Sequence, residues 1–267
     1  MRHFLRACLG ALVLISLPWS FAGAAAVCTF GGPNGESTLQ AVFNNLLGAS
    51  HAPNAGSDCV PEPNDGRWQT TGPASATIVI ELAGFASQNT FGIYDVLDPL
   101  NPAKQLQLFA GAAGQGSTAF ITFTPSGSGY SVVIGWPGKP NRPAVTFGSA
   151  AFGFYLSTPE DNPNTPAVDR MMYFSQTSLN SDGTDHLYAY RGNGSPFLAP
   201  PLNGQTFATN GALLAWEDLR GGGDRDYQDF VVYANGVTPV PLPAAAWLLG
   251  STLPLLGLRR RRALTVA

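Results

Sequence analysis

The 267-residue chain carries 14 basic and 17 acidic side chains, a formal charge of −3, and only 12% of its residues are charged. Arg2, Arg6 and four arginines near the C-terminus account for the basic residues at the two ends, so residues 27–236 keep 8 basic against 17 acidic side chains, near −9. That balance excludes nucleic-acid binding through a basic patch and favours cation binding. About 210 residues between the ends is ample for one domain with its own core.

Met1–Ala26 places Arg2, His3 and Arg6 before an apolar run from Ala7 to Leu17 and then small residues through Ala22-Gly23-Ala24-Ala25-Ala26. This is the charge, apolar core and A-x-A order of a secretory signal peptide, with cleavage after Ala24 or Ala26. Cys8 leaves with it. Cys28 and Cys59 remain, and an even pair in an exported chain reads as a disulfide, a metal or thiol pair having no histidine cluster to support it. The bridge staples an arm over residues 27–70.

Within the arm, Ser37 and Gln40 stand at capping-box spacing, and Leu39, Val42, Phe43, Leu46 and Leu47 form one apolar face before Gly48, which predicts a short helix. Strand patterns then follow at Ala76–Leu82, Thr90–Val96, Leu106–Ala110, Ala119–Thr124, Tyr130–Gly135, Ala144–Leu156, Met171–Ser175, His186–Tyr190, Leu213–Glu217 and Asp229–Ala234. Turn formers such as Pro125-Ser126-Gly127-Ser128-Gly129 and Pro137-Gly138-Lys139-Pro140 separate them; the chain holds 31 glycines and 22 prolines. Many short strands with one helix predict an all-β antiparallel sandwich or jelly roll over 71–236. Asn235–Thr238 reads as a short hinge beyond it.

The densest acidic stretch runs from Trp216 to Asp229, with Glu217, Asp218, Asp224, Asp226 and Asp229 around Gly221-Gly222-Gly223. Unpaired, these carboxylates repel one another, and the glycines let several oxygens turn toward one point. Calcium takes six to eight oxygen ligands at about 2.3–2.6 Å, so it is the cofactor this pattern suits. Asp229 precedes Phe230-Val231-Val232-Tyr233, and a carboxylate entering a buried strand needs a partner. A second oxygen-rich turn holds Asn180, Asp182 and Asp185 in N-x-D-G form, without the Glu of an EF-hand. Asp, Asn and Gly are also ordinary turn residues, and that reading stays open for both loops.

Catalytic patterns are sparse. No G-x-S-x-G occurs, and outside the leader the histidines are His51 and His186, the latter expected as a loop residue or buried hydrogen-bonding partner. Glu217 and Asp218 are adjacent, and neighbours on a strand face opposite ways, which argues against a glycan hydrolase built on that pair. Trp68, Trp136, Tyr155, Tyr188 and Tyr190 are candidates for a carbohydrate-stacking platform, with core packing as the plainer reading.

The tail begins Val240-Pro241-Leu242-Pro243-Ala244, continues uncharged to Leu258 and ends in Arg259, Arg260, Arg261 and Arg262. At ~1.5 Å per residue, Ala244–Leu258 makes a helix of about 22 Å, short of a ~30 Å hydrocarbon core. Trp247 suits one interface and the arginines the cytoplasmic one, which describes a weak, temporary inner-membrane anchor.

Val240 to Leu249, with Gly257-Leu258 and the arginines, closely resembles the proteobacterial PEP-CTERM sorting signal over 238–262. The resemblance implies recognition by an exosortase, an integral-membrane cysteine transpeptidase, cleavage near the proline motif, and export to the surface or extracellular matrix of a Gram-negative bacterium that makes exopolysaccharide. Residues 76–234 resemble the domain-of-unknown-function family 4114 in Ile80–Phe85, Asn89–Asp95, Phe152–Leu156, Ser178–His186, Trp216–Leu219 and Gly223–Asp229. That family commonly has Phe at the place of Trp216 and Asn at that of Gln228. The resemblance implies a β-rich exported module with calcium at the acidic loop and brings no reaction with it. The expectation is a biofilm-associated structural or binding protein, with signal peptidase and exosortase as processing partners and surface polysaccharide as the alternative ligand.

Overall fold

The computed structural model describes residues 28–31, 35–81, 87–111, 113–159 and 170–240. The expected signal peptide at 1–26 and the part of the expected sorting signal (238–262) beyond Val240 lie outside these residues, whereas Thr238 and Pro239 belong to the last strand of the sheet. Among the described residues no helix is long and apolar enough to cross a membrane.

Helix α1 spans Leu39–Leu47, and eleven strands follow: β1 Trp68–Glu81, β2 Thr90–Asp95, β3 Gln105–Phe109, β4 Thr118–Ser126, β5 Gly129–Gly135, β6 Val145–Phe147, β7 Ala151–Pro159, β8 Arg170–Phe174, β9 Leu187–Arg191, β10 Gly211–Trp216 and β11 Phe230–Pro239. All pair antiparallel in one sheet, whose main path runs β3-β2-β7-β1-β11-β10-β9. The predicted mostly-β class, with one short helix, holds.

The sheet forks at β1. One edge of this strand pairs with β11 throughout, while the other pairs with β7 at Trp68 and Gln69 and then with β4 from Ala74 to Thr77. The exchange falls at a register shift between Thr70 and Ser75, where Gly72 has a φ of +153° and Pro73 offers no N–H to a ladder. The β7-β2-β3 leaf, with β8 on β7, and the β4-β5-β6 leaf therefore diverge and curl around a common interior. Trp68, Phe91, Phe154, Trp216 and Phe230 meet there with ring centroids 5.4–5.9 Å apart. Offset and edge-on contacts at this spacing contribute beyond area burial. The result is sandwich-like, made by curling one sheet.

The outer face of β9–β11 is buried as well. Leu213, Ala215, Val231 and Tyr233 point away from the interior onto the apolar stripe of α1, where Phe43 packs edge-on against Tyr190 at 4.7 Å. Both faces being covered, β10 reads as an unbroken apolar run. The Cys28–Cys59 disulfide, closing a separation of 31 residues, ties down the arm that carries the helix.

Four local expectations are corrected. Thr38, not Ser37, caps α1, because its Oγ1 accepts the Ala41 N–H at 3.2 Å. Gln40 ignores the capping box and bonds Asn44, the Pro53 carbonyl and the Ala55 N–H instead. The run 144–156 breaks into β6 and β7 at Gly148-Ser149-Ala150, where Gly148 N–H donates to Asp95 Oδ2 at 2.7 Å. The expected hinge Asn235–Thr238 is the end of β11, since Val237 is buried in the core and pairs with Thr70.

Candidate metal site

The register of the last hairpin builds the acidic site. Trp216 pairs with Phe230, so the next residues out, Glu217 and Asp229, face each other across the mouth of the loop. Both are buried, as is Asp218. One carboxylate oxygen each from Glu217, Asp218 and Asp229 lies within 4.8 Å of the others, and the same holds for Glu217, Asp224 and Asp226. Glu217 is common to both groups. The expectation that Glu217 and Asp218 face opposite ways is corrected: β10 ends at Trp216, strand alternation stops there, and the two side chains converge.

The backbone of the loop is shaped for this convergence. Gly221, Gly222 and Gly223 have positive φ, and so do Arg225 (58°) and Tyr227 (55°), a conformation that L side chains adopt at a cost. A Cβ on Gly223 would stand 2.6 Å from Glu217 Oε1 and 2.5 Å from Leu219 Cβ, so only glycine leaves the carboxylate its place. Asp229 Oδ2 accepts the Asp218 N–H at 3.0 Å and Glu217 Oε1 accepts the Leu219 N–H at 3.2 Å. From further away, Asn89 Nδ2 donates to Asp218 Oδ2 at 2.9 Å, and Gln228 Nε2 donates to both Asp226 Oδ2 and Glu36 Oε2.

Burial works against charge here. Burial pushes the Glu217 carboxyl up to about 8, and Asp224 and Asp226 push the same way. Burial likewise raises Asp229 to about 9, helped by Asp218 and Glu217, and it raises Asp218. Glu217 Oε2, Asn89 Oδ1 and Gln228 Oε1 are buried without a hydrogen-bond partner. Buried oxygens are normally satisfied, so unsatisfied acceptors gathered around clustered carboxylates have the chemistry of a hard-cation cage. Carboxylate and amide oxygens are the donor types that calcium takes.

The second predicted turn is employed differently. Asn180 Oδ1 accepts the Phe174 N–H at 2.7 Å, while its Nδ2 donates to the carbonyls of Phe174 and Thr184. Asp182 accepts from the Thr184 and Gly221 N–H groups and lies 2.9 Å from His186 Nε2. Burial alone would raise the Asp182 carboxyl, but those two N–H donors and His186 outweigh it and hold it below its ordinary value. Asp182 thus clamps its turn to the glycine segment of the acidic loop. Asp185 Oδ1 caps the Leu187 N–H at 3.1 Å. Neither Asn180 nor Asp182 nor Asp185 belongs to the two carboxylate groups around Glu217. His186 is fully buried, stacks on Tyr173 with centroids 3.6 Å apart and reaches the Glu217 carbonyl with Nδ1, the buried hydrogen-bonding partner that was expected.

Of the five candidate stacking aromatics, Trp68, Tyr155 and Tyr190 are core. Tyr188 stacks on Tyr227 at 3.9 Å, and Trp136 lies half-buried with the Arg142 guanidinium 5.7 Å from its ring centre. Asn89 and Glu36 join the acidic site without having been singled out. Asn89 meets Asp218 from 129 residues away, and no local pattern marks it.

These features define a class: a curled antiparallel β-domain whose last hairpin carries an oxygen-lined, acidic, partly unsatisfied loop. A module of the family described as "Domain of unknown function (DUF4114)" is found at residues 148–237, which covers β7 to β11 up to Val237, the acidic loop and the Asn180–Asp185 turn. That is narrower than the 76–234 resemblance, leaving Asn89, β1–β6 and the arm outside it. No curated protein and no solved structure matches the chain.

Proposed function

We propose that the protein is an exported, exosortase-sorted surface or matrix component of structural or binding role, stabilised by calcium at Glu217, Asp218, Asp224, Asp226 and Asp229. The observation that carries the calcium reading is Glu217. It is fully buried, common to both carboxylate groups, and leaves Oε2 with no partner. A cation there joins the loop mouth to its tip and neutralises part of the surplus of 17 acidic over 8 basic side chains between the two terminal segments. At free calcium 100 times its dissociation constant, one such site stabilises the fold by about 2.7 kcal/mol.

Export rests on the leader pattern, on the Cys28–Cys59 bridge, which suits an oxidising compartment, and on the V-P-L-P-A, apolar and arginine order of the tail. Mass spectrometry of both termini of the protein from its host tests it. Processing near Ala24 or Ala26 and near Pro241–Pro243 is expected, and an intact chain with free thiols in the cytoplasm would refute it.

An ion suits the acidic site better than a sugar, because Glu217 and Asp218 are buried and no glycosidic bond can reach between them. We therefore propose a non-enzymatic role, which turnover of a glycan lost in Glu217→Gln would overturn. A polysaccharide-binding role is the second reading. It rests on the open groove of about 620 Å³ beside Trp136, Lys139 and Arg142, where a sugar ring has a half-buried indole to stack on. Affinity electrophoresis in the host's polysaccharide, with Trp136→Ala as control, decides it.

A further inference from the structure

A second acidic cluster lies where the arm meets the sheet, outside the matched module on one side and inside it on the other. Asp65 is only 1% exposed, yet both of its carboxylate oxygens lack a hydrogen-bond partner. The charges that act on it are those of Asp185 and Glu62, and both are negative. Thr177 ties these together: its hydroxyl donates to Glu62 Oε1 and lies within hydrogen-bonding reach of the Asp185 carboxylate. The segment is held firmly. Trp68 Nε1 donates to the Asp65 carbonyl at 2.6 Å, Ser175 Oγ donates to the Gly66 carbonyl at 2.9 Å, and Tyr227 donates its hydroxyl to the Asp185 carbonyl at 2.7 Å. From solvent inward the carboxylates run Glu62 exposed, Asp185 half-buried, Asp65 buried, a graded path from water to the floor of the cluster.

We propose that Glu62, Asp65 and Asp185 form a second divalent-cation site, with calcium as the cation, that locks the N-terminal arm onto the sheet. An ordinary structural aspartate so deeply buried accepts N–H groups from its surroundings; Asp65 has only its own backbone N–H acting on it, and the charges that act on it among the described residues, Asp185 and Glu62, repel it. All the donors are oxygens, the preference of calcium, with the Thr177 hydroxyl at hand as a neutral one. Among the described residues the three carboxylates do not close to the 4.8 Å spacing of the Glu217 groups, so a cation at this site has to draw them together. The site also gives Asp185, whose Oδ1 caps the Leu187 N–H, a second role, since its charge acts on Asp65.

This inference is independent of the reading of the Glu217 loop, and one measurement separates them. Calcium bound per chain is counted by equilibrium dialysis of the mature protein at neutral pH, for wild type, Asp65→Asn and Asp226→Asn. Two ions in wild type and one in each variant support both sites. One ion, lost in Asp65→Asn and kept in Asp226→Asn, supports the junction site and refutes the loop site. A count that Asp65→Asn leaves unchanged, zero included, overturns the proposal. Should Asp65→Asn fail to fold, Asp185→Asn removes a ligand from the opposite segment and must lower the count by the same one ion, otherwise the proposal falls.

Discussion

Asp229 closes the acidic loop on its own beginning: its Oδ2 accepts the backbone N–H of Asp218 at 3.0 Å, with 11 positions of chain between them. The bond requires an acceptor oxygen but not a charge. Asp229→Asn keeps the acceptor and removes a negative group that burial and two neighbouring carboxylates disfavour. In chelator the variant is expected to melt no lower than wild type. In excess calcium it loses the increment of about 2.7 kcal/mol, a deficit of roughly 5–10 °C in Tm for a domain of this size. Thermal melts in EDTA and in millimolar calcium check it, and a variant that still gains stability from calcium like wild type would remove Asp229 from the ligand set.

The raised carboxyls give a pH dependence of definite sign. Glu217 titrates near 8 and Asp229 near 9 in the fold, above the ordinary 4.5 and 3.8, burial being the first cause. Between those limits the folded state holds protons that the unfolded chain has released, so without metal their contribution is full below about pH 4 and is lost as pH rises toward 8–9. Urea midpoints in EDTA should therefore fall across that window. Calcium binds the deprotonated form, so saturating calcium should flatten or reverse the slope. A chelator series that gains stability on going from pH 5 to pH 8 would show that other groups dominate.

Much of this was legible in the sequence, and the reasons differ by element. The strands were visible because alternation and turn residues are local. The helix face at Leu39, Val42, Phe43, Leu46 and Leu47 was visible for the same reason, and all five are buried. The cap was misassigned because Ser37 and Thr38 are both competent, and only geometry selects Thr38. The fork at β1 was hidden: the strand was expected from Ala76, whereas it runs from Trp68 and passes through Gly72-Pro73 as a bulge. The acidic loop announced itself by density alone. Its convergence depends on where β10 stops, since one more residue of strand would have turned Glu217 and Asp218 apart. Asp65 stood beside Glu62 in a glycine- and proline-rich stretch, and Asp185, far along the chain, is brought to it by tertiary packing.

The Cys28–Cys59 bridge anchors the arm whose helix covers the outer face of β9–β11. Closing a loop of 31 residues restricts the unfolded chain by about 3–4 kcal/mol in the loop-entropy picture. Cys28→Ser with Cys59→Ser is expected to lower Tm by roughly 10 °C. The loss should be the same whether or not Asp226→Asn has removed a ligand from the Glu217 loop, because neither cysteine is a member of its carboxylate groups. Melts of the double variant with and without Asp226→Asn in millimolar calcium test this, and a loss that disappears with Asp226→Asn would mean that the arm acts through the loop metal.

Asn180 offers the contrast that separates a ligand from a strut. Its side chain is buried and gives Phe174 both an acceptor and a donor, imitating one more strand residue beside the end of β8, while a third bond reaches the Thr184 carbonyl. Removing it strands a buried N–H and two carbonyls. Leaving buried backbone groups unpaired costs about 1–3 kcal/mol, so Asn180→Ala should lower stability by roughly 2–3 kcal/mol. As a strut it acts alike in EDTA and in calcium, leaving the calcium-induced shift at its wild-type size. Asp226→Asn should do the reverse, sparing the EDTA melt and diminishing the shift. Urea unfolding of the two variants side by side decides the assignment: a calcium shift abolished by Asn180→Ala would return Asn180 to the ligand set.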